Sequence, residues 1–448
     1  MEVHVIGAGL AGSEAAWRLA QRGCQVRLIE MRPGRQTPAH RTGWAAEMVC
    51  SNSFKSDDPA SATGILKAEL RRLGSLVLDC AEASRVPAGQ SLAVDREVFS
   101  RTVSERLKAH PCIQWEEREA VAPIEGVPTI LATGPLSSDA IAGWIAAACG
   151  SQGLYFYDAI APIVQADSID TSIAFRASRY GKGAADFLNC PLDEAQYGRF
   201  LDALLAAERA ELHDFDTPYF EACLPIEVMA ERGRETLRFG PMKPVGLDHP
   251  ATGRWPHAVV QLRQDTLAGD HYNLVGFQTR LKWPAQREVF HLIPGLEQAE
   301  FVRFGSIHRN TYVQAPAVLD ATLALRGCEG RWIAGQLSGV EGYLESAAAG
   351  LVAADSAHRW LRGLAPLPLP RETRLGALLH YLAHAEADRF APVNAMLGLL
   401  PGLPEGAYDV RAAKRQLGSR GAKRAKAEAL RERALAALER HLSLAETT

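Results

Sequence analysis

The first 30 residues carry the pattern that most restricts how this chain folds. A short run rich in β-branched residues, 3–6, is followed by the turn Gly7-Ala8-Gly9-Leu10-Ala11-Gly12 and the helix-forming segment 13–22. A second strand is predicted at 25–29, directly before Glu30. This βαβ unit holds the GxGxxG spacing in its full context, which predicts a doubly wound α/β domain that binds a dinucleotide.

The turn residues have separate physical tasks. Gly7 permits the tight turn, Gly9 lets the backbone approach a pyrophosphate, and Gly12 lets helix and strand pack closely. The helix N-terminus faces the phosphates, and Glu30 can accept a hydrogen bond from a ribose hydroxyl. The motif alone does not distinguish FAD from NAD.

Two later segments favour FAD. The strand predicted at 127–131 ends in Ala132-Thr133-Gly134, an ending common in large flavoproteins. Another strand, 331–334, leads through the glycine-rich loop 335–342 to a helix at 344–361, whose N-terminal dipole can stabilise an anionic reduced flavin. A second GxGxxG is absent from the sequence, which argues against a separate NAD(P)H domain of the disulfide-reductase kind.

The domain organisation is predicted from changes in pattern along the chain. Strands and helices mix irregularly from 136 to 300, and Pro366, Pro368 and Pro370 mark a later linker. We predict an α/β fold whose FAD-binding domain is Rossmann-like, of the glutathione-reductase type, with an inserted α+β domain and a helical C-terminal extension. The predicted bounds are 1–135 and 301–365 for the FAD domain, 136–300 for the inserted substrate domain, and 366–448 for a basic helical region packed on the FAD domain.

Composition excludes several classes of protein. The 448 residues are 47% hydrophobic and 23% charged, values that exclude disorder, collagen and coiled coil as overall descriptions. The apolar run 140–150 is shorter than the roughly 18 residues that span a bilayer, and the N-terminus has no signal-peptide pattern. A cytoplasmic protein without membrane contact is therefore expected. The eight cysteines form no CxxC, so no zinc or iron–sulfur site is predicted.

Several segments resemble a known family of tRNA-modifying flavoproteins. Residues 335–348 are similar to the signature shared by GidA-type proteins, and further matches resemble the smaller TrmFO family of folate- and FAD-dependent tRNA uracil-5-methyltransferases. The resemblance runs from residue 3 to about 403, and GidA proteins are considerably longer than this chain. One departure lies at 397–402, where an asparagine-phenylalanine pair is expected before Gly-Leu-Leu-Pro. The TrmFO-like segments are EMRP (30–33), VCSNS (49–53), FEACLPIE (220–227), LRFGPMKPVGL (237–247) and HRNTY (308–312).

The resemblance implies a reaction. A methylene group from methylenetetrahydrofolate is transferred to C5 of a uridine in the T-loop of tRNA, reduced FAD supplies the electrons that make it a methyl group, and NAD(P)H re-reduces the flavin. The product is 5-methyluridine. Two alternatives stay open at this point: wobble-uridine modification of the GidA type, and a flavoprotein that binds tRNA without catalysis. The oligomeric state is not determined by the sequence, and a monomer is expected.

The motifs and the resemblance together predict the residues that bind FAD. They lie in the first glycine turn, at the end of the second strand, at the Thr-Gly strand end and in the late glycine-rich loop. They are Gly7, Ala8, Gly9, Leu10, Ala11, Gly12, Glu30, Met31, Arg32, Thr133, Gly134, Gly335, Gln336 and Gly342.

The implied reaction requires a reactive cysteine. Uracil C5 becomes nucleophilic after a thiolate adds at C6, and the thiolate leaves when a base removes the C5 proton. The family motifs point to Cys50 and Cys223, and the resemblance assigns the attack on uracil to Cys223 more readily. His308 and Tyr343 are predicted to bind the pterin of folate, since an aromatic ring can stack on it.

Charge is segregated towards the C-terminus. Although the whole chain has a net charge of −3, residues 411–440 hold ten basic and three acidic residues. Such a patch attracts phosphates, so we predict that this stretch binds the tRNA backbone through Lys423, Arg424 and Lys426.

Overall fold

The computed structural model describes residues 2–37, 39–150, 154–181, 184–210, 224–387, 390–404 and 407–447, with only the backbone of 154–160, 306–310, 410, 446 and 447. The strands are β1 (Glu2–Ile6), β2 (Gln25–Glu30), β3 (Ser53–Ser56), β4 (Arg85–Val86), β5 (Ser91–Val94), β6 (Ile113–Glu117), β7 (Thr129–Leu131), β8 (Leu154–Ile160), β9 (Ile163–Gln165), β10 (Phe175–Ala177), β11 (Phe187–Leu192), β12 (Ala258–Gln264), β13 (His271–Leu274), β14 (Phe301–Arg303), β15 (Ser306–Tyr312) and β16 (Arg331–Ile333). The helices are α1 (Leu10–Gln21), α2 (Ala62–Leu73), α3 (Leu76–Ala83), α4 (Arg96–Ala109), α5 (Asp139–Ala148), α6 (Glu194–Ala206), α7 (Ile226–Glu231), α8 (Thr236–Phe239), α9 (Trp283–Phe290), α10 (Ala315–Val318), α11 (Tyr343–Leu361), α12 (Arg374–His384) and α13 (Val410–Thr447).

A parallel five-stranded sheet organises the first domain. Its order is β16-β7-β1-β2-β6, and every neighbouring pair is parallel. Strand β1 lies in the centre of this order. Its residues 3–6 are all buried, as expected for a strand that is covered on both faces. The predicted Rossmann-like fold is therefore confirmed, and the carboxyl ends of the strands form the edge where ligands bind in such sheets.

Glycines let α1 and α11 pack directly against each other and against the first turn. A Cβ at Gly350 of α11 would lie 2.0 Å from the carbonyl oxygen of Ala11, and a Cβ at Gly12 would lie 1.7 Å from that of Gly7. Helix α1 begins at Leu10, inside the glycine motif, three residues before the predicted segment. The backbone amides of the first helical turn of α1 therefore belong to the glycine motif that is predicted to bind the nucleotide.

The inserted region forms an antiparallel sheet with its own buried apolar core. Its strand order is β10-β11-β12-β13-β9-β14. Because β14 (Phe301–Arg303) pairs with β9, this sheet extends three residues past the boundary predicted at 300. Ile141 and Ile145 of α5 pack instead into the core of the first domain. The full domain division stays a prediction.

The C-terminal region packs on the first domain. The carboxylate of Glu69 in α2 accepts hydrogen bonds from the backbone amides of Arg374 and Leu375, which begin α12. Helix α13 contacts α2 through an ion pair between Arg72 and Glu439. No helix in the described ranges is long and apolar enough to cross a membrane.

Candidate functional site

The first glycine turn borders a cleft of about 110 Å³ at the carboxyl ends of β1, β2 and β7. Gly7 has a φ of +97°, which glycine adopts without strain, whereas Gly9 has an ordinary φ of −68° and no protein atom within 4 Å of a built Cβ. The cleft thus lies where a pyrophosphate would approach the backbone. Of the predicted FAD-binding residues, it is lined by Gly7, Gly9, Leu10, Ala11, Glu30, Met31, Arg32, Thr133, Gly134, Gly335 and Gln336.

The remaining three predicted residues lie next to the cleft. The amide of Ala8 donates to Glu30, and Gly12 packs against the carbonyl of Gly7. Gly342, with a φ of +117°, precedes α11 and lines a second, larger cavity. A built Cβ at Gly335 would lie 2.8 Å from the Cβ of Ala11, so this glycine allows the late loop to reach the first turn.

The carboxylate of Glu30 is already engaged within the chain. It accepts hydrogen bonds from the amide of Ala8 at 2.8 Å and from the amide and Nε of Arg32, both at 3.0 Å. Burial alone would raise the pKa of Glu30, but the charge of Arg32 and these hydrogen bonds outweigh it and hold the pKa below its ordinary value. Glu30 is therefore an anionic anchor for the turn, and its contact with a ribose stays a prediction.

A larger cavity of about 460 Å³ lies between the two domains. The first domain contributes the loop 49–56 and the start of α11, and the inserted domain contributes Arg263 and 273–276. Gln336 and Tyr343 line both this cavity and the nucleotide cleft, so the two spaces adjoin there. Cys50 is among the residues that line the larger cavity.

Tyr343 fixes the backbone that carries Cys50. Its hydroxyl oxygen accepts hydrogen bonds from the amides of Cys50 at 2.9 Å and Ser51 at 3.1 Å. Its ring packs edge-on against Phe54, with centroids 6.0 Å apart. Burial raises the pKa of the Tyr343 hydroxyl, which keeps it protonated at neutral pH. The predicted stacking of this ring on a pterin is not tested by these contacts.

Asn52 joins the Cys50 loop to the inserted domain. This fully buried side chain donates to the carbonyl oxygens of Val94 at 3.0 Å and Gln264 at 2.9 Å. Its side-chain oxygen accepts hydrogen bonds from Nε of Arg263 at 2.9 Å and from the side-chain amide nitrogen of Asn273 at 3.2 Å. The position of Cys50 in the cavity therefore depends on residues that lie more than 200 positions away in sequence.

Three arginines contact this loop, and none of them belongs to a motif that the sequence reveals. Arg303 donates to the carbonyl of Val49, Arg96 to that of Met48, and Arg263 to Asn52. Burial lowers the pKa of Arg263 and of Arg303 to about 10, so both remain charged at neutral pH. Asp265 accepts from Arg96 at 3.1 Å. Of the three arginines, Arg263 lines the larger cavity, so it places one positive charge on the wall to which Cys50 also belongs.

Two predicted residues cannot be placed in the site. Cys223 lies outside the described residues, and the described chain resumes at Leu224. The amide of Ile226 donates to the carbonyl of Gln278, a residue that lines the larger cavity. For His308 the backbone is described: it pairs with Asp158 in the β8–β15 ladder.

The predicted tRNA-binding residues lie on α13. Lys423, Arg424 and Lys426 are all exposed. Arg424 forms ion pairs with Glu428 at 2.9 Å and with Asp58 at 3.4 Å, so the helix is tied to the first domain at this point. A groove of about 280 Å³ lies between α13 and the first domain beside this ion pair. It is lined by Asp57, Asp58, Pro59, Arg85, Gly89, Gln90 and Arg424.

The groove adjoins the larger cavity along the chain. Ser56 and Ser91 line the cavity, and their sequence neighbours Asp57 and Gln90 line the groove. Within the part of the chain that the structure describes, no three His, Cys, Asp or Glu side chains group as a metal site requires.

The chain matches known proteins over most of its length. The sequence model of the GidA family, described as glucose inhibited division protein A, matches residues 2–365. The "Methylenetetrahydrofolate--tRNA-(uracil-5-)-methyltransferase TrmFO" of Desulforudis audaxviator is 56% identical over 407 residues, which is 90% of this chain and 92% of that protein. The protein of the same name from Solibacter usitatus is 52% identical over 444 residues, 98% of either chain.

Solved structures of GidA share the fold. Aquifex aeolicus GidA in one crystal form has a TM-score of 0.66 at 15% identity, covering 96% of this chain and 78% of that one. A second crystal form gives a TM-score of 0.64 at 17% identity, covering 85% of this chain and 67% of that one. The resemblance noted in the sequence is confirmed: the chain belongs to the GidA family and, within it, to the TrmFO methyltransferases.

Proposed function

We propose that this protein methylates C5 of a uridine in the T-loop of tRNA, with the carbon taken from methylenetetrahydrofolate, FAD as its cofactor and NAD(P)H as the reductant. The observation that carries this function is the 52–56% identity to TrmFO methyltransferases over 90–98% of the chain. Wobble-uridine modification of the GidA type is less well supported, because GidA is related to this chain only at 15–17% identity among solved structures. We propose a cytoplasmic location, where tRNA and reduced folates occur together, and a monomeric enzyme.

The nucleotide cleft fits FAD. Gly9 leaves open space on the side where a pyrophosphate approaches, and the dipole of α1 is directed to the same place. The start of α11 reaches the adjoining cavity, where its N-terminal amides can stabilise negative charge on a ring system. When bound, FAD supplies the electrons that reduce the transferred methylene to a methyl group.

The larger cavity is the proposed site of methyl transfer. Cys50 lines it on a backbone held by Tyr343, Asn52 and Arg303. We propose that Cys50 and Cys223 share the thiol chemistry, one adding to C6 of uracil and the other assisting. The charged guanidinium of Arg263 in the same cavity can stabilise the enolate that this addition creates on the uracil ring. His308 and Tyr343 are proposed to bind the pterin.

The source of the methyl carbon tests the function directly. With unmodified tRNA, NAD(P)H and methylenetetrahydrofolate labelled in its methylene group, the label should appear in 5-methyluridine, measured by nucleoside analysis. The matched control supplies labelled S-adenosylmethionine without folate and should give no labelled product. Label arriving from S-adenosylmethionine, or at a wobble uridine, would contradict the proposal.

Charge reversal on α13 tests the proposed docking of tRNA. Lys423→Glu with Lys426→Glu should weaken tRNA binding at least about tenfold at moderate salt, because two phosphate contacts and their released counterions are lost. The slope of log affinity against log salt should fall by about two, and adding Arg424→Glu should weaken binding further.

A matched control changes the charge by the same amount elsewhere. Arg101→Glu with Lys108→Glu, on the exposed face of α4, should leave tRNA affinity within about twofold of the wild type. FAD content should be unchanged in both variants. If the two double variants bind tRNA equally well, α13 is not the docking surface.

A further inference from the structure

Lys55 occupies an unfavourable backbone conformation at the wall of the larger cavity. Its φ is +62°, a left-handed value that lysine rarely adopts because its Cβ crowds the following carbonyl. It lies in β3, where the pairing with β5 is irregular between Ser53 and Ser56. Such strain persists only where the surroundings enforce it, and it is concentrated at functional positions.

A buried lysine enforces this conformation. Nζ of Lys67, which is fully buried, donates to the carbonyl oxygens of Lys55 at 3.1 Å and Ser56 at 2.7 Å. The amide of Lys55 donates to the hydroxyl of Ser53 at 3.0 Å. The backbone on both sides of Lys55 is therefore held by interactions that do not involve its own side chain.

The strained backbone directs the side chain of Lys55 into the cavity. Its Nζ lies 3.4 Å from the position that a Cβ of Gly342 would occupy, which places it over the start of α11. Oε2 of Glu345 approaches the same built position, so one carboxylate neighbours this ammonium group at the start of α11. Nearby Glu345 accepts a hydrogen bond from the amide of Ala395. Lys55 thus presents a cation to the cavity at a cost in backbone energy.

The position of Lys55 along the chain indicates which ligands can reach it. The next residue, Ser56, also lines the cavity, while Asp57 and Asp58 line the groove towards Arg424. Along the chain, Lys55 therefore lies at the junction between the cavity wall and the residues that line the groove. The substrates of the proposed function carry two kinds of oxyanion that could extend there: a phosphate of tRNA and a carboxylate of the folate glutamyl group.

We propose that Lys55 binds an oxyanion of a substrate at this junction, and that the left-handed backbone is retained to place its ammonium group there. This inference rests on the proposed function for the identity of the substrates. An ammonium group is a compact donor that binds phosphate or carboxylate through charge-assisted hydrogen bonds. The two sources of the oxyanion are distinguished by which substrate binds more weakly when the ammonium is removed.

The test replaces Lys55 by residues that separate charge from backbone strain. Lys55→Gly removes both, so the melting temperature should rise while the Kd of one substrate increases about tenfold. Lys55→Arg keeps both and should retain an affinity close to that of the wild type. Lys55→Asn, which tolerates the left-handed conformation, serves if the glycine variant does not fold. Lys108→Gln, an exposed lysine of α4, is the control for loss of one positive charge.

Direct titrations identify the ligand without relying on turnover. A higher Kd for tRNA, with a salt slope lower by about one, identifies a phosphate, whereas a higher Kd for tetrahydrofolate identifies a carboxylate. If both affinities stay within twofold of the wild type in Lys55→Gly, or if Lys55→Arg loses as much as Lys55→Gly, the proposal is overturned. Failure of the proposed function is seen separately, as absence of labelled 5-methyluridine with the wild-type enzyme.

Discussion

Gly9→Ala should give a folded protein that binds FAD much more weakly. Alanine suits the backbone at this position, where φ is −68°, and a built Cβ meets no protein atom within 4 Å. The added methyl group would instead occupy the side of the cleft where a pyrophosphate approaches the turn. An overpacking cost of about 1–3 kcal/mol corresponds to a loss of FAD affinity of about fivefold to 150-fold. Flavin absorbance of the purified protein and titration of FAD into the apoprotein measure this loss.

Gly12→Ala provides a comparison in which the protein itself, and not only FAD binding, should be destabilised. Its Cβ would lie 1.7 Å from the carbonyl oxygen of Gly7, so the apoprotein itself should be destabilised, with a lower melting temperature. Gly198→Ala, in α6 of the inserted domain, adds the same methyl group where nothing lies within 4 Å, and should keep both flavin and stability. A Kd for FAD within twofold of the wild type in Gly9→Ala would show that the turn does not bind the pyrophosphate.

The nucleotide-binding half of the molecule could be predicted because its determinants are local. The run 3–6, the glycine turn and Gly23 at the end of α1 succeed one another within 30 residues, and the structure places β1, α1 and β2 there. The one local difference is the start of α1 at Leu10. Of the three glycines of the motif, only Gly12 lies within the helix, and Gly9 directly precedes it. The first backbone amides of the helix have no partner within the helix, so they are available to bind phosphate.

The walls of the larger cavity could not be predicted, because they depend on tertiary contacts. Arg263 and Asn273 meet Asn52 across more than 200 residues, and no periodicity in the sequence connects them. Tyr343 was expected beside folate from its motif, and its contact with the amides of Cys50 and Ser51 is visible only in three dimensions. The left-handed conformation of Lys55 could not be predicted from the local sequence either, because this position is occupied by lysine and not by glycine or asparagine, the residues that usually adopt it.

Cys50→Ala and Cys223→Ala should each fold, bind FAD and lose methyl transfer. Removing a nucleophile leaves only binding and charge stabilisation, so turnover should fall on the order of a thousandfold or more. Cys190→Ala is the matched control, because this thiol is fully buried in the inserted domain, where burial raises its pKa. We expect this control to lose about 0.5–3 kcal/mol of stability and to keep its turnover per folded molecule. Nucleoside analysis and thermal unfolding separate the two kinds of effect.

A trapped adduct assigns the nucleophile among the two cysteines. In tRNA whose target uridine carries fluorine at C5, no C5 proton can be removed, so the bond between sulfur and C6 should persist after the methylene group is attached. Peptide mapping of the covalent complex then identifies the cysteine that attacked. The cysteine that forms no adduct should still reduce turnover when it is replaced, since a helper acts in the same cavity without bonding to uracil. Near-normal turnover in both alanine variants would exclude thiol addition as the way in which this enzyme activates C5.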